Sequence, residues 1–347
     1  MSDATPSSLQ TLPWLEHSLT DALAQVRGHA TLVHGPEGVG QFEFAMALAQ
    51  SWLCEAQPEG VAPRLACGRC PSCHLVAARS HPDLVVVVPE ALQAALGWGD
   101  GSDEAADGAE KGSKTRKPSQ DIKVEAIRQV VQFAQNTASR GRAKVVVIHP
   151  AERMNTVASN TLLKTLEEPP GMVRFVISAG SLDQILPTVR SRCQAWRLPL
   201  PDEARAVQWL ASEIPGLNQD AALTLLHAAG GQPLTARDRY ALGLDATRWP
   251  QIPKEVAHGN VAVFAGWPIP LVVETLQKVC HDLSCVAAGG QPRYFPVEAV
   301  QAGGDLTRLT SWAAELRKAA RHAEHPWNPG LRMEALLQQA RVALRRR

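Results

Sequence analysis

Gly35, Gly38 and Gly40 punctuate the run GPEGVGQF, residues 35–42, between a β-branched stretch, Ala30 to His34, and a helix-forming one, Glu43 to Trp52. In that setting a loop of the form G-x-x-x-x-G-K-[ST] cradles phosphates on backbone N–H groups. Its Lys neutralises the β and γ groups, and its hydroxyl ligates magnesium. Here Gln41 replaces the Lys and Phe42 the hydroxyl. The glycine spacing survives without the side chains that handle charge and metal. Taken alone, the run also reads as an ordinary turn between a strand and a helix.

A second constellation is Cys54, Cys67, Cys70 and Cys73, spaced C-x12-C-x2-C-x2-C. Four thiolates close a tetrahedral shell around zinc, and the tight spacings let one short knuckle supply three of them. A closed four-sulfur shell leaves no position for water, so such a zinc is structural. An iron–sulfur cluster accepts the same ligands, but nothing nearby suggests electron transfer. His74 and His81 are spare ligands. Arg64, Arg69 and Arg79 lie near the cluster with no aromatic residue beyond Trp52, which favours fold stabilisation or subunit contact over nucleic-acid binding. Cys193, Cys280 and Cys285 read as small buried residues or, for Cys193, as part of the Ser191-Arg192-Cys193 turn.

The elements that must position these groups alternate in the first half of the chain. Strands are expected at Ala30 to His34, Leu84 to Val88, Ala143 to Ile148, Arg174 to Ser178 and Ala195 to Leu198, separated by helical patterns, which predicts an α/β fold with a parallel sheet. The second and third runs are almost continuously apolar, as in strands buried on both faces. Residues 90–119 are Gly-rich, acidic and then basic, and are expected to be a disordered insert. Beyond Pro199 the pattern is helical, broken by Pro and Gly clusters. In the last segment Met333, Leu336, Leu337, Ala340 and Leu344 share one face, with Arg341 and Arg345 to Arg347 near the helix C-terminus, where cations suit the dipole.

The 347 residues suggest two or three domains. With 35 Lys and Arg against 34 Asp and Glu, the charge of +1 argues against strong general attraction to nucleic acid or acidic membranes. The N-terminus has no signal-peptide pattern, and a run of about 18 apolar residues is lacking, so a soluble cytoplasmic protein is expected. Seven cysteines, three of them within seven residues, fit metal binding in a reducing compartment better than a disulfide framework.

The segment ASNTLLKTLEEPPGMVRFVISAGSLDQILPTVRSRCQAWRLPLP contains a helix ending at Pro169-Pro170 and then Ser191-Arg192-Cys193. Together with the glycine loop, it resembles the clamp-loader branch of the AAA+ ATPases, specifically over about residues 12 to 200. The resemblance implies an AAA+ parallel-sheet domain over 1–199, carrying a zinc module at 54–80. It also implies a helical lid over 200–243 and an all-helical oligomerisation collar over 244–347.

In that family the SRC arginine is a finger reaching into the ATP site of an adjacent subunit, a role carried here by Arg192. A guanidinium suits it because its rigid, permanently charged fork can stabilise charge spread over γ-phosphate oxygens. Arg190 is read as structural.

Four features that the family's motor subunits use on nucleotide depart from the pattern. Besides Gln41 and Phe42, His149-Pro150 stands where an Asp-Glu pair is expected after the third strand. Ala179 stands at the γ-phosphate-sensing position, and Pro233 where an Arg is expected.

The resemblance therefore implies a subunit of the bacterial DNA polymerase III clamp loader that does not hydrolyse ATP. It would lend Arg192 in trans to a gamma or tau motor subunit, within a hetero-oligomeric ring that also contains delta. That ring places the sliding clamp around primed DNA. Two rival readings are a motor ATPase with an unorthodox phosphate loop and a zinc-bearing DNA-binding protein on an inactive scaffold.

Overall fold

A computed structural model describes residues 12–57, 63–98, 118–300, 305–323, 325 and 328–345. The chain divides into two compact units, residues 1–200 and 201–347.

The first unit is built on five parallel strands: β1 (Ala30–His34), β2 (Leu84–Val87), β3 (Lys144–Ile148), β4 (Val173–Ala179) and β5 (Gln194–Arg197). Their spatial order is β2-β3-β4-β1-β5. A helix, α1 (Glu16–Gln25), precedes β1; parallel neighbours need crossover connections, and these are supplied by α2 (Gln41–Leu53), α3 (Pro71–Ala77), α4 (Glu90–Leu96), α5 (Val124–Gln135), α6 (Thr156–Glu167) and the short α7 (Pro187–Arg190). The α/β class and all five strands agree with the sequence reading.

Burial follows position in the sheet. Every residue of β3 is buried, as the apolar run predicts. β2 is an edge strand instead, with Val85 and Val86 half-exposed, so its apolar run reflects β propensity rather than two covered faces. The α2 helix is buried almost all round and starts where the glycine loop ends, so the sheet and its surrounding helices fix the loop on both sides.

The expected disorder over 90–119 needs correction at both ends. Residues 90–96 form α4. Glu90 Oε2 accepts from the Ser119 N–H at 2.9 Å, and Lys123 pairs with the other carboxylate oxygen. This carboxylate staples the two ends of the insert together. Residues 99–117 lie outside the described set.

The second unit contains α8 (Glu203–Glu213), α9 (Gln219–Ala228), α10 (Pro233–Ala241), α11 (Ile252–His258), α12 (Ile269–Ala287), α13 (Val297–Val300), α14 (Leu306–Arg321) and α15 (Pro329–Leu344), with no strand among the described residues. Side chains of Asp202, Asn218, Asp305 and Asn328 cap four of these helices. Such caps satisfy N–H groups that have no intrahelical partner.

One apolar cluster runs from Leu210 to Ala343. At its centre Trp249 stacks on Phe295 with ring centroids 4.5 Å apart. The carboxylate of Asp282 is wholly buried and accepts the N–H groups of Arg293, Tyr294 and Phe295, which holds that loop against α12. On α15 Met333, Leu336, Leu337 and Ala340 are buried as the heptad-like spacing predicts, whereas Ala343 rather than Leu344 completes the inner face.

Candidate functional site

The glycine loop joins β1 to α2 at the C-terminal end of the sheet, the place where α/β folds put their ligands. Two of its glycines are sterically required. A Cβ on Gly35 would collide with the Leu198 carbonyl beyond β5. Gly40 has φ of 98°, and a Cβ there would stand 2.6 Å from Leu12 Cδ1.

The loop spends its polar groups on itself. Gln41 is buried, and its amide donates to the carbonyls of Gly35 and Pro36 at 2.7 Å each. The Trp14 indole N–H donates to the Val39 carbonyl at 2.9 Å. Phe42 faces His149 with ring centroids 5.2 Å apart, so an aromatic pair stands where magnesium ligands would be needed.

His149 Nδ1 lies 2.9 Å from Ser178 Oγ, and burial pulls its pKa down to about 4. The ring is therefore neutral at pH 7 and contributes no positive charge. Ala179 is buried and has no hydrogen-bonding side chain.

Two acids overlooked in the motif reading meet at the mouth of the loop. Glu152 Oε1 accepts the Gly180 N–H at 2.8 Å, and its Oε2 is buried without a partner. The Glu37 side chain reaches the same spot, 3.3 Å from where a Gly180 Cβ would stand. Carboxylates oppose phosphate electrostatically. The donor set, the aromatic pair and these acids do not fit a bound magnesium nucleotide. In the sequence Glu37 is visible only as an acid within the glycine loop and Glu152 only as an acid after β3, since their convergence depends on β4.

Pro233 occupies the first turn of α10, where proline's fixed φ suits the helix and its missing N–H costs nothing.

The four cysteines of the second constellation come together. All their sulfurs lie within 4.8 Å of one another, with Cys67 to Cys73 at 4.0 Å and Cys54 to Cys70 at 3.9 Å. Zinc–sulfur bonds of about 2.3 Å in a tetrahedron place sulfurs about 3.8 Å apart, so the donor set fits such an ion. Cys54 follows α2 directly, Cys70 caps α3, and Cys73 lies within α3. The Cys73 N–H points at Cys70 Sγ and the Cys67 N–H at Cys54 Sγ, the arrangement that stabilises thiolates.

His74 and His81 stand outside the cluster among the described residues. The role of His81 lies in a relay. Its Nδ1 accepts from the Asp83 N–H at 3.0 Å, which leaves Nε2–H to donate to Ser72 Oγ at 3.1 Å; that hydroxyl donates to Glu55 Oε1 at 3.0 Å. Glu55 also pairs with Arg140 at 2.6 Å, and the buried Asp83 carboxylate accepts the N–H groups of Ser139 and Arg140. The relay ties the cysteine module to the loop before β3.

Arg192 follows α7, with its side chain partly exposed. Nη1 donates to the Thr188 carbonyl and Nη2 to Glu167 Oε1, both at 3.0 Å. Cys193 beside it is half-buried, and desolvation pushes its thiol up to about 12. It is an inert neighbour of the arginine.

A family model with the description "DNA polymerase III, delta subunit" matches residues 14–202, more than half of the chain. The delta' subunit of DNA polymerase III from Pseudomonas aeruginosa is 36% identical over 220 residues, covering 63% of this chain and 58% of that protein. The Escherichia coli delta' subunit is 33% identical over 225 residues, covering 64% and 58%. The chain thus aligns with less than two thirds of the length of these relatives.

Among solved structures, a gamma subunit-related protein from Thermotoga maritima superposes with a TM-score of 0.46 at 16% identity, covering 98% of this chain and all of that one. The family match begins just before α1 and ends just after β5, taking in the glycine loop, the cysteine cluster and Arg192 on the way. By that match and those relatives, the chain belongs to the delta-prime family of DNA polymerase III subunits.

Proposed function

We propose that this chain is a clamp-loader subunit that neither binds nor hydrolyses ATP itself and that completes the ATP site of a neighbouring motor subunit with Arg192. The observation carrying the first half is the buried Gln41 amide, which closes the glycine loop on its own carbonyls. The aromatic pair of Phe42 and His149 and the acids Glu37 and Glu152 support it. A site lacking the loop's Lys and hydroxyl and the Asp-Glu pair after β3 has no cation placed to stabilise charge on the transferring phosphoryl.

The second half is supported by the partly exposed position of Arg192 after α7. It needs no nucleotide of its own to act across a subunit boundary. Its partners in this reading are the gamma or tau and delta subunits of a ring that opens the sliding clamp and sets it around primed DNA. Residues 200–243 serve as the lid and 244–347 as the collar that holds the ring together. The cysteine module, loaded with zinc, is a structural brace.

The test is titration of fluorescent ATP into the isolated chain, followed by its assembly with an ATPase-competent motor subunit. The proposal expects no saturable binding by the chain alone and stable co-elution with the motor subunit. Micromolar ATP affinity, or failure to co-elute, would contradict it.

A further inference from the structure

Glu167 is the last residue of α6, and Glu168 follows it. A carboxylate there faces the negative end of the helix dipole, an unfavourable place for an acid. The chain nonetheless aims Glu167 at Arg192, with Oε1 3.0 Å from Nη2. The other terminal nitrogen is also engaged, by the Thr188 carbonyl at 3.0 Å and by Ser191 Oγ at 3.4 Å. Nε is buried without a partner, so the stem is packed in place while the head is bonded to its own chain.

A guanidinium that is to clasp a phosphate across a boundary must present its terminal nitrogens outward. Here both are turned home. The Glu167 side chain is 59% exposed and the Arg192 side chain 29%, so water reaches the pair from the carboxylate side and another anion can replace Glu167 at Nη2.

Resting on the reading of Arg192 as a finger, we propose that Glu167 is a latch that holds Arg192 on its own subunit and competes with the neighbour's nucleotide phosphate for it. Engagement of the finger is then an exchange of carboxylate for phosphate at Nη2. The latch is weak because exposed pairs are weak, so it tunes the apparent affinity of the shared site without blocking it. Glu167 in this account is a positioning residue, acting through Arg192.

The experiment uses the reconstituted complex, with ATP turnover measured on primed DNA over a range of ATP concentrations. Glu167→Gln should lower the KM for ATP about two- to fivefold, the range an exposed ion pair commands, with kcat unchanged. Glu168→Gln removes a charge one residue away and should move KM less. In an Arg192→Ala background, Glu167→Gln should change nothing. A KM that rises or stays put, an equal effect from Glu168→Gln, or an effect that persists without Arg192 would overturn the latch. If Arg192→Ala alone leaves turnover unchanged, the finger reading falls as well, whereas impaired turnover in Arg192→Ala with an inert Glu167→Gln removes only the latch.

Discussion

Gln41 shows how a single side chain can close a loop that glycines keep open. Its amide donates twice into the loop, and a lysine there would still lack the hydroxyl and the Asp-Glu pair that a working loop sets around magnesium. Gln41→Lys is therefore expected to leave ATP affinity weaker than about 1 mM by fluorescence titration, because one charge does not replace Phe42, His149 and Ala179.

His149 makes a second prediction at this scale. Its folded pKa is about 4 against an ordinary 6.5, so the folded chain binds fewer protons and loses stability as pH falls from 6.5 towards 4. At pH 5 the native chain should have lost about 2 kcal/mol relative to pH 7, in urea melts, beyond the loss in His149→Phe. Parallel melts of the two proteins would contradict this. The departures at 41 and 42 can be read from the spacing of the loop, and the one at 149 from the family resemblance. The carboxylates at 37 and 152 were not, since neither belongs to a motif and only the folded sheet brings them to Gly180.

The cysteine module is the element where spacing was most informative, because four sulfurs at C-x12-C-x2-C-x2-C leave few other geometries open to them. Spacing did not reveal the relay through His81, Ser72 and Glu55, or Asp83 beneath it, because those partners come from segments up to 85 residues apart. Cys70→Ser should take bound zinc from about one per chain to well below that by atomic absorption, since three thiolates do not close the shell. Asp83→Ala leaves two loop N–H groups without acceptors and should cost about 1–3 kcal/mol for each in urea melts, with zinc still bound. Retained zinc in Cys70→Ser would place the metal elsewhere. At the same scale, the apolar run of β2 did not distinguish an edge strand from a central one. Period and composition report propensity, whereas neighbours in the sheet are set by β3 and by the crossover helices.

At the scale of the whole molecule, an α/β unit and a helical unit divide the chain at about residue 200, close to where the β signal in the sequence stops. Fold class and strand number could be read from alternation of β-branched runs with helical patterns. The strand order and the apolar cluster of the helical unit could not, since both depend on contacts distant in sequence. In the proposed reading the first unit keeps a glycine loop without its Lys and lends the partly exposed Arg192 to a neighbour that hydrolyses ATP.

The most direct measurement is DNA-stimulated ATP turnover by the reconstituted complex with Arg192→Ala in this subunit. A finger is worth about 10³–10⁵ in rate at its own site, diluted here because the complex has other sites. The account predicts normal assembly and clearly reduced turnover, with loss of hydrolysis at the one site this subunit completes. Unchanged turnover in a fully assembled complex would contradict it.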